Sequence, residues 1–122
     1  MQGVLHEEIQ TKEDFDRVLK TTTLKPLLVQ FCAPWCRRCS TLKTEIKEAF
    51  DSGAFRWVTI DVDEVEELRE RFEVTSMPRL DIHMGGIRTE LAGFEATIPK
   101  LREAIETGKQ KENRVFVIDE DF

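Results

Sequence analysis

The sequence predicts an α/β domain in which a central mixed β-sheet carries helices on both faces. Three observations point there. The near-continuous apolar run Leu27 to Ala33 has strand length, as expected for a central strand covered on both sides. Strand-like runs alternate with segments whose apolar residues recur at helical spacing, which implies right-handed β–α–β units and a largely parallel centre. Near the end, Gly85-Gly86 separates two short strand-like runs. Two adjacent residues that tolerate positive φ favour a two-residue hairpin, which adds an antiparallel edge.

The elements follow in order. A first strand is expected near Val4 to Ile9. Thr11-Lys12-Glu13-Asp14 resembles a capping box, with the Thr hydroxyl covering a free N–H at a helix start. Phe15, Val18 and Leu19 then form one apolar face. After Thr21-Thr22-Thr23 and Pro26 comes the central strand, ended by Pro34. Cys39, Leu42, Ile46, Ala49 and Phe50 make the stripe of a second helix, with Lys43, Lys47 and Glu48 on its wet side. Trp57 to Asp61 reads as a second buried strand. Val65, Leu68 and Phe72 read as the inner face of a short helix. Leu80 to Met84 and Ile87 to Leu91 flank the Gly-Gly turn. Thr97 caps a last helix with Pro99 in its first turn, Leu101 and Ile105 inward and Gly108 at its stop.

Length and composition bound the function. A chain of 122 residues suits one domain, here expected over residues 1–108. With 40% hydrophobic and 34% charged residues it reads as globular rather than disordered. No apolar run approaches the roughly 18 residues of a membrane helix. The net charge of −6 argues against a general nucleic-acid binder. The start, MQGVLHEEIQ, lacks the basic and apolar regions of a signal peptide, so a cytoplasmic location is expected, or an organelle if a targeting segment lies outside this sequence. The three cysteines are too few and too clustered for a secreted disulfide scaffold. Cysteines used locally point to chemistry.

That chemistry centres on Trp35-Cys36-Arg37-Arg38-Cys39. The pair directly follows a strand and opens a helix. Cys36 then sits beside free backbone N–H groups and the positive end of the helix dipole, both of which favour a thiolate. The thiolate is the attacking species in disulfide exchange, and a thiol three residues on can resolve the mixed disulfide. Cys36 is the expected nucleophile and Cys39, on the buried stripe, the resolving thiol. Two other readings compete. A zinc site would draw on Cys32, Cys36 and Cys39 with the distant His6 and His83, but no second C-x-x-C exists. The pair could also be two core cysteines by chance.

The strand Leu27 to Ala33, the Trp35-Cys36-x-x-Cys39 motif, Asp61-Val62-Asp63, Val74-Thr75-Ser76-Met77-Pro78 and Gly93 occur in an order and spacing that resemble a thioredoxin over roughly residues 4 to 107. The resemblance implies the thioredoxin fold and a cis Met77-Pro78 peptide facing the cysteines. It implies that Trp35, Met77, Pro78 and Gly93 shape a substrate groove. It also implies dithiol–disulfide exchange with protein substrates without metal or organic cofactor. Electrons would come from a flavoprotein such as a thioredoxin reductase, or from another dithiol carrier. A monomer is expected, with contact through the tail open.

The departures from the family are informative. Arg37 and Arg38 stand where most thioredoxins carry Gly-Pro, and Arg79, after Pro78, replaces a common Thr. Three cations are therefore expected on the substrate surface. Arg37 and Arg38 would favour the thiolate, make the couple more oxidising than ordinary thioredoxin and select partners with acidic flanks, while Arg79 would add a cation to the substrate groove. Gln30 replaces a buried Asp beneath the resolving cysteine, and slower resolution is expected because Gln cannot titrate. Cys32 stands in place of a bulky aromatic and reads as a small buried hydrophobe, or as a thiol that pairs with an active-site cysteine under oxidation. Thr44 replaces a kinking proline. The acidic extension 109–122, KQKENRVFVIDEDF, carries the strand-prone run Val115 to Ile118. It could dock on the domain, contact a partner or fray. Two further functions remain open: a non-catalytic redox-sensing module within a larger assembly, and a dimer bridged by an iron–sulfur cluster held by four thiolates.

Overall fold

A computed structural model describes residues 3–22 and 24–120, with side chains described up to Lys109. Five strands and four helices alternate as the apolar pattern predicts: β1 His6–Ile9, α1 Lys12–Thr21, β2 Leu27–Cys32, α2 Arg37–Ala49, β3 Arg56–Asp61, α3 Glu66–Arg71, β4 Arg79–Met84, β5 Ile87–Ala92 and α4 Ile98–Glu120. The sheet order is β1-β3-β2-β4-β5. The three strands β1, β3 and β2 run parallel, and β4 and β5 add an antiparallel edge.

The wholly apolar β2 becomes the centre of this sheet because both its faces find cover. All six of its residues are buried. Val29 and Phe31 face a core completed by Phe15 and Val18 of α1 and Leu68 of α3. Leu28 faces the opposite core, filled by Leu42 and Ile46 of α2 and by Leu101 and Ile105 of α4. One helix pair thus covers each face, which fixes β2 and leaves its carboxyl end to project the next loop.

Local signals act as expected at most boundaries. The Thr11 hydroxyl accepts from Asp14 N–H at 3.0 Å and caps α1. Gly85 and Gly86 take φ of 57° and 80°, the two left-handed positions of a tight hairpin turn. Helix α2 runs unbroken through Thr44.

The carboxyl end differs. Helix α4 continues through Gly108 to Glu120, so that glycine is no stop and the run Val115 to Ile118 is helical rather than a strand. The cause at Gly108 is packing. A Cβ there would stand 2.8 Å from Met84 Sδ, so the residue lets α4 pass close over the end of β4. Whether the tail docks is a question that lies outside the described side chains.

Candidate active site

The site forms where β2 ends and α2 begins. Ala33 accepts a hydrogen bond from Cys36 N–H at 3.0 Å, turning the chain so that Cys36 becomes the N-cap of α2. Its Sγ accepts from Cys39 N–H at 3.2 Å. A sulfur at an N-cap meets unpaired amides and the positive end of the helix dipole, so the cap geometry supplies the stabilisation a thiolate needs. Cys36 and Cys39 form a disulfide with their Cα atoms 5.4 Å apart. Both are buried, Cys39 the more deeply at 2% exposure against 8% for Cys36. The residue nearer solvent is therefore the one at the helix start.

Neighbouring residues frame this pair. Trp35 lies exposed, and its indole N–H donates to Asp63 Oδ2 at 3.1 Å. Asp63 is held in turn by its own N–H on Asp61 Oδ1 at 2.9 Å. Asp63 was legible in the sequence only as a matching residue; its anchoring of Trp35 follows from a loop that returns after β3. The Met77-Pro78 peptide is cis, and Met77 packs on the core that holds both cysteines. Pro78 C=O accepts from Gly93 N–H at 2.9 Å. Among the described residues no backbone–backbone hydrogen bond engages Met77. The structure thus brings Trp35, Cys36, Cys39, Met77, Pro78 and Gly93 to one end of the sheet.

The cations do not gather as expected. Arg79 is buried at 3% exposure. Its guanidinium donates to both oxygens of Asp81, at 2.6 and 3.1 Å, lies 3.3 Å from Glu90 and stacks 5.5 Å over the Phe31 ring. Strand alternation explains the correction: Arg79 and Asp81 share a face of β4, and that face is covered. Arg79 is therefore no surface cation of the groove. Arg38 reaches along α2 to Glu45, 2.8 Å away, in an exposed pair. Arg37 is exposed and forms no ion pair among the described residues, so it alone is an uncompensated cation beside the sulfurs.

Gln30 is fully buried beneath the motif. Its amide Nε2 donates to Cys39 C=O at 3.1 Å, which ties β2 to the first turn of α2, while its Oε1 finds no partner among the described residues. The residue beside it in the sheet register is Thr59, also buried and also unable to titrate. Gln30→Asp is expected to speed resolution of the mixed disulfide about tenfold near pH 8, because a carboxylate there can take the Cys39 proton. Single-turnover decay of a preformed mixed disulfide measures it, and an unchanged rate counts against the idea. Burial pushes the third thiol, Cys32, up to about 11, so it stays protonated and inert near neutral pH. The two histidines of the zinc reading make ring contacts elsewhere in the fold. His6 packs at a tilt against Trp57, and His83 packs against Phe15 and Phe72.

A helix-capping cysteine bonded to a more deeply buried one, beside the Met77-Pro78 loop, defines a dithiol–disulfide exchange protein of α/β architecture. Comparison with known proteins places it within that class. The thioredoxin family model matches residues 6–107, and the chain belongs to the thioredoxin family of thiol–disulfide oxidoreductases. It is 33% identical over 72 residues to Thioredoxin-1 of Drosophila yakuba, covering 57% of this chain and 67% of that one. It is 35% identical over 81 residues to protein disulfide-isomerase A4 of Rattus norvegicus, a relative of whose length it spans 12%. Among solved structures, thioredoxin of Fasciola hepatica superposes with a TM-score of 0.71 at 25% identity, covering 84% of this chain and 98% of that one.

Proposed function

We propose that this protein exchanges its Cys36–Cys39 pair with protein disulfides and dithiols, at a potential more oxidising than that of ordinary thioredoxin. The observation that carries the reading is the Cys36 sulfur at the N-cap of α2, within hydrogen-bond distance of Cys39 N–H. In the reducing direction the Cys36 thiolate attacks one sulfur of a substrate disulfide, and the other substrate sulfur leaves as a thiolate. Cys39, as thiolate, then attacks the Cys36 sulfur. The Cys36–Cys39 disulfide forms, the second substrate thiolate departs, and two electrons have passed to the substrate. In the oxidising direction a substrate dithiol attacks Cys36 and the same steps run backwards. The free Met77 backbone suits pairing with an extended substrate segment. A reductase or another dithiol carrier would restore the reduced pair.

The oxidising character rests on Arg37. A cation about 7 Å from the sulfur, at an effective dielectric of 40–80, stabilises the thiolate of the reduced form and raises the potential by roughly 13–26 mV. Arg38 adds less, since Glu45 offsets its charge. The protein is expected to accelerate insulin reduction by dithiothreitol; no acceleration would favour a non-catalytic module. Equilibration with glutathione buffers is expected to give a potential above about −270 mV, the thioredoxin value, and Arg37→Ala to lower it by the amount above. A wild-type potential at or below that value removes the oxidising part of the reading.

A further inference from the structure

A cavity of about 300 Å³, the size of a small-molecule site, opens at the end of the sheet remote from the cysteines. Strand β2 begins there at Leu27, which pairs with His83 of antiparallel β4, whereas Cys36 follows the other end of β2. The walls come from the end of α1, the segment before β2, the Gly85-Gly86 turn and α4. The exchange chemistry uses none of these parts.

The polar wall of this cavity is made of donors. Lys25, Lys109, His83, Gly85 and Gly86 line it, and among the described residues no carboxylate does. On a chain of net charge −6 that is a local reversal of sign. Lys25 forms no ion pair among the described residues, and Lys109 has only Glu106, 4.0 Å away in an exposed pair. No described backbone–backbone hydrogen bond engages the N–H of Gly85 or Gly86, and a Cβ on Gly86 would meet nothing within 4 Å. His83 Nε2 is buried without a partner among the described residues, and a buried polar atom left so calls for an explanation such as an absent ligand. Burial pushes the His83 imidazole below its ordinary range, so the ring is neutral near pH 7 and carries one N–H. The remaining wall is apolar. Leu19, Leu27 and Met84 contribute to it, as does Leu24, whose side chain is otherwise fully exposed.

We infer that this cavity binds a small amphiphilic anion, a carboxylate carried on a short aliphatic chain. Lys25 and Lys109 supply its counter-charge, the free amides of the turn and the His83 ring supply hydrogen bonds, and the aliphatic chain covers Leu24 and Leu27. A wholly polar anion would leave the leucines wet, and a neutral apolar molecule would leave the donors without acceptors. Only an occupant with both parts matches both walls.

Amide shifts of the full-length disulfide form, followed by NMR during titration with acetate, butyrate, hexanoate or hexanol, test this. Hexanoate is expected to give saturable shifts at Gly85 and Gly86, with a Kd about tenfold below that of butyrate, as burial of two more methylenes implies. Hexanol, which lacks the charge, is expected to bind about tenfold more weakly than hexanoate. Lys25→Gln is expected to weaken hexanoate about threefold and the Lys25→Gln, Lys109→Gln pair about tenfold, the scale of exposed charge pairs. His83→Phe, which keeps a ring against Phe15 and Phe72, is expected to weaken it about threefold. Lys100→Gln removes an equal charge from the first turn of α4, outside the cavity, and is expected to leave the Kd unchanged. Absence of saturable shifts at the turn glycines overturns the inference. So does equal affinity for acetate and hexanoate, or for hexanoate and hexanol, and so does a loss in Lys100→Gln as large as that in Lys25→Gln.

Discussion

Asp81→Ala is expected to cost about 3–5 kcal/mol of stability, the range for removing one partner of a buried ion pair. Asp81 has no exposed surface and accepts from Arg79 at 2.6 and 3.1 Å and from Arg88 at 2.8 Å. Without it the buried Arg79 guanidinium keeps only Glu90, itself half exposed, and the ring of Phe31. A desolvated cation left so poorly matched is costly, whatever the intact pair contributes net. Small domains hold only about 5–15 kcal/mol in all, so the variant should unfold at a much lower urea concentration with an unchanged slope. Replacing both partners, Arg79→Met with Asp81→Leu, should recover most of the loss, since that removes the charges together. A single Asp81→Ala variant within about 1 kcal/mol of wild type would show that water reaches Arg79.

This network also marks a limit of sequence reading. The hairpin was legible from Gly85-Gly86, and a two-residue turn fixes the register that pairs Asp81 with Glu90 and His83 with Arg88. Arg79, Asp81, Arg88 and Glu90 share one face by period-two alternation, so the ladder of charges could have been drawn from the sequence. Burial could not. An arginine after a proline reads as a surface cation unless the strand is known to be covered on that face, and the ring over Arg79 is that of Phe31, distant in sequence. The reactive pair was legible because its signal is local: a strand, a C-x-x-C and a helical stripe in immediate succession. The expectation that Cys39 resolves rests on its place on that stripe, where it is buried. Gly108 misled for the opposite reason. Its chemistry suits a helix terminus, and only the approach of Met84 shows that it serves a crossing instead.

Cys36→Ser is expected to reduce dithiol–disulfide exchange at least a thousandfold, while Cys39→Ser stops it at a covalent intermediate. The asymmetry follows from burial and from the state of each sulfur. With Cys36 gone, Cys39 remains almost wholly enclosed beneath the loop. Cys32, pushed up to about 11, offers only about one thiolate in ten thousand near pH 7 and has no helix terminus to lower it. Neither can replace a capped thiolate nearer to solvent. In Cys39→Ser the attack by Cys36 is intact, but no neighbouring sulfur can release the substrate, so a mixed disulfide accumulates. Non-reducing electrophoresis after incubation with an oxidised protein substrate should show that adduct for Cys39→Ser and nothing for the Cys36→Ser, Cys39→Ser double variant. Retention of more than a tenth of the exchange rate in Cys36→Ser would reassign the nucleophile. Adducts that Cys39→Ser forms in a cell extract are expected to carry physiological substrates, and their sequences beside the captured cysteine test whether acidic flanks are preferred.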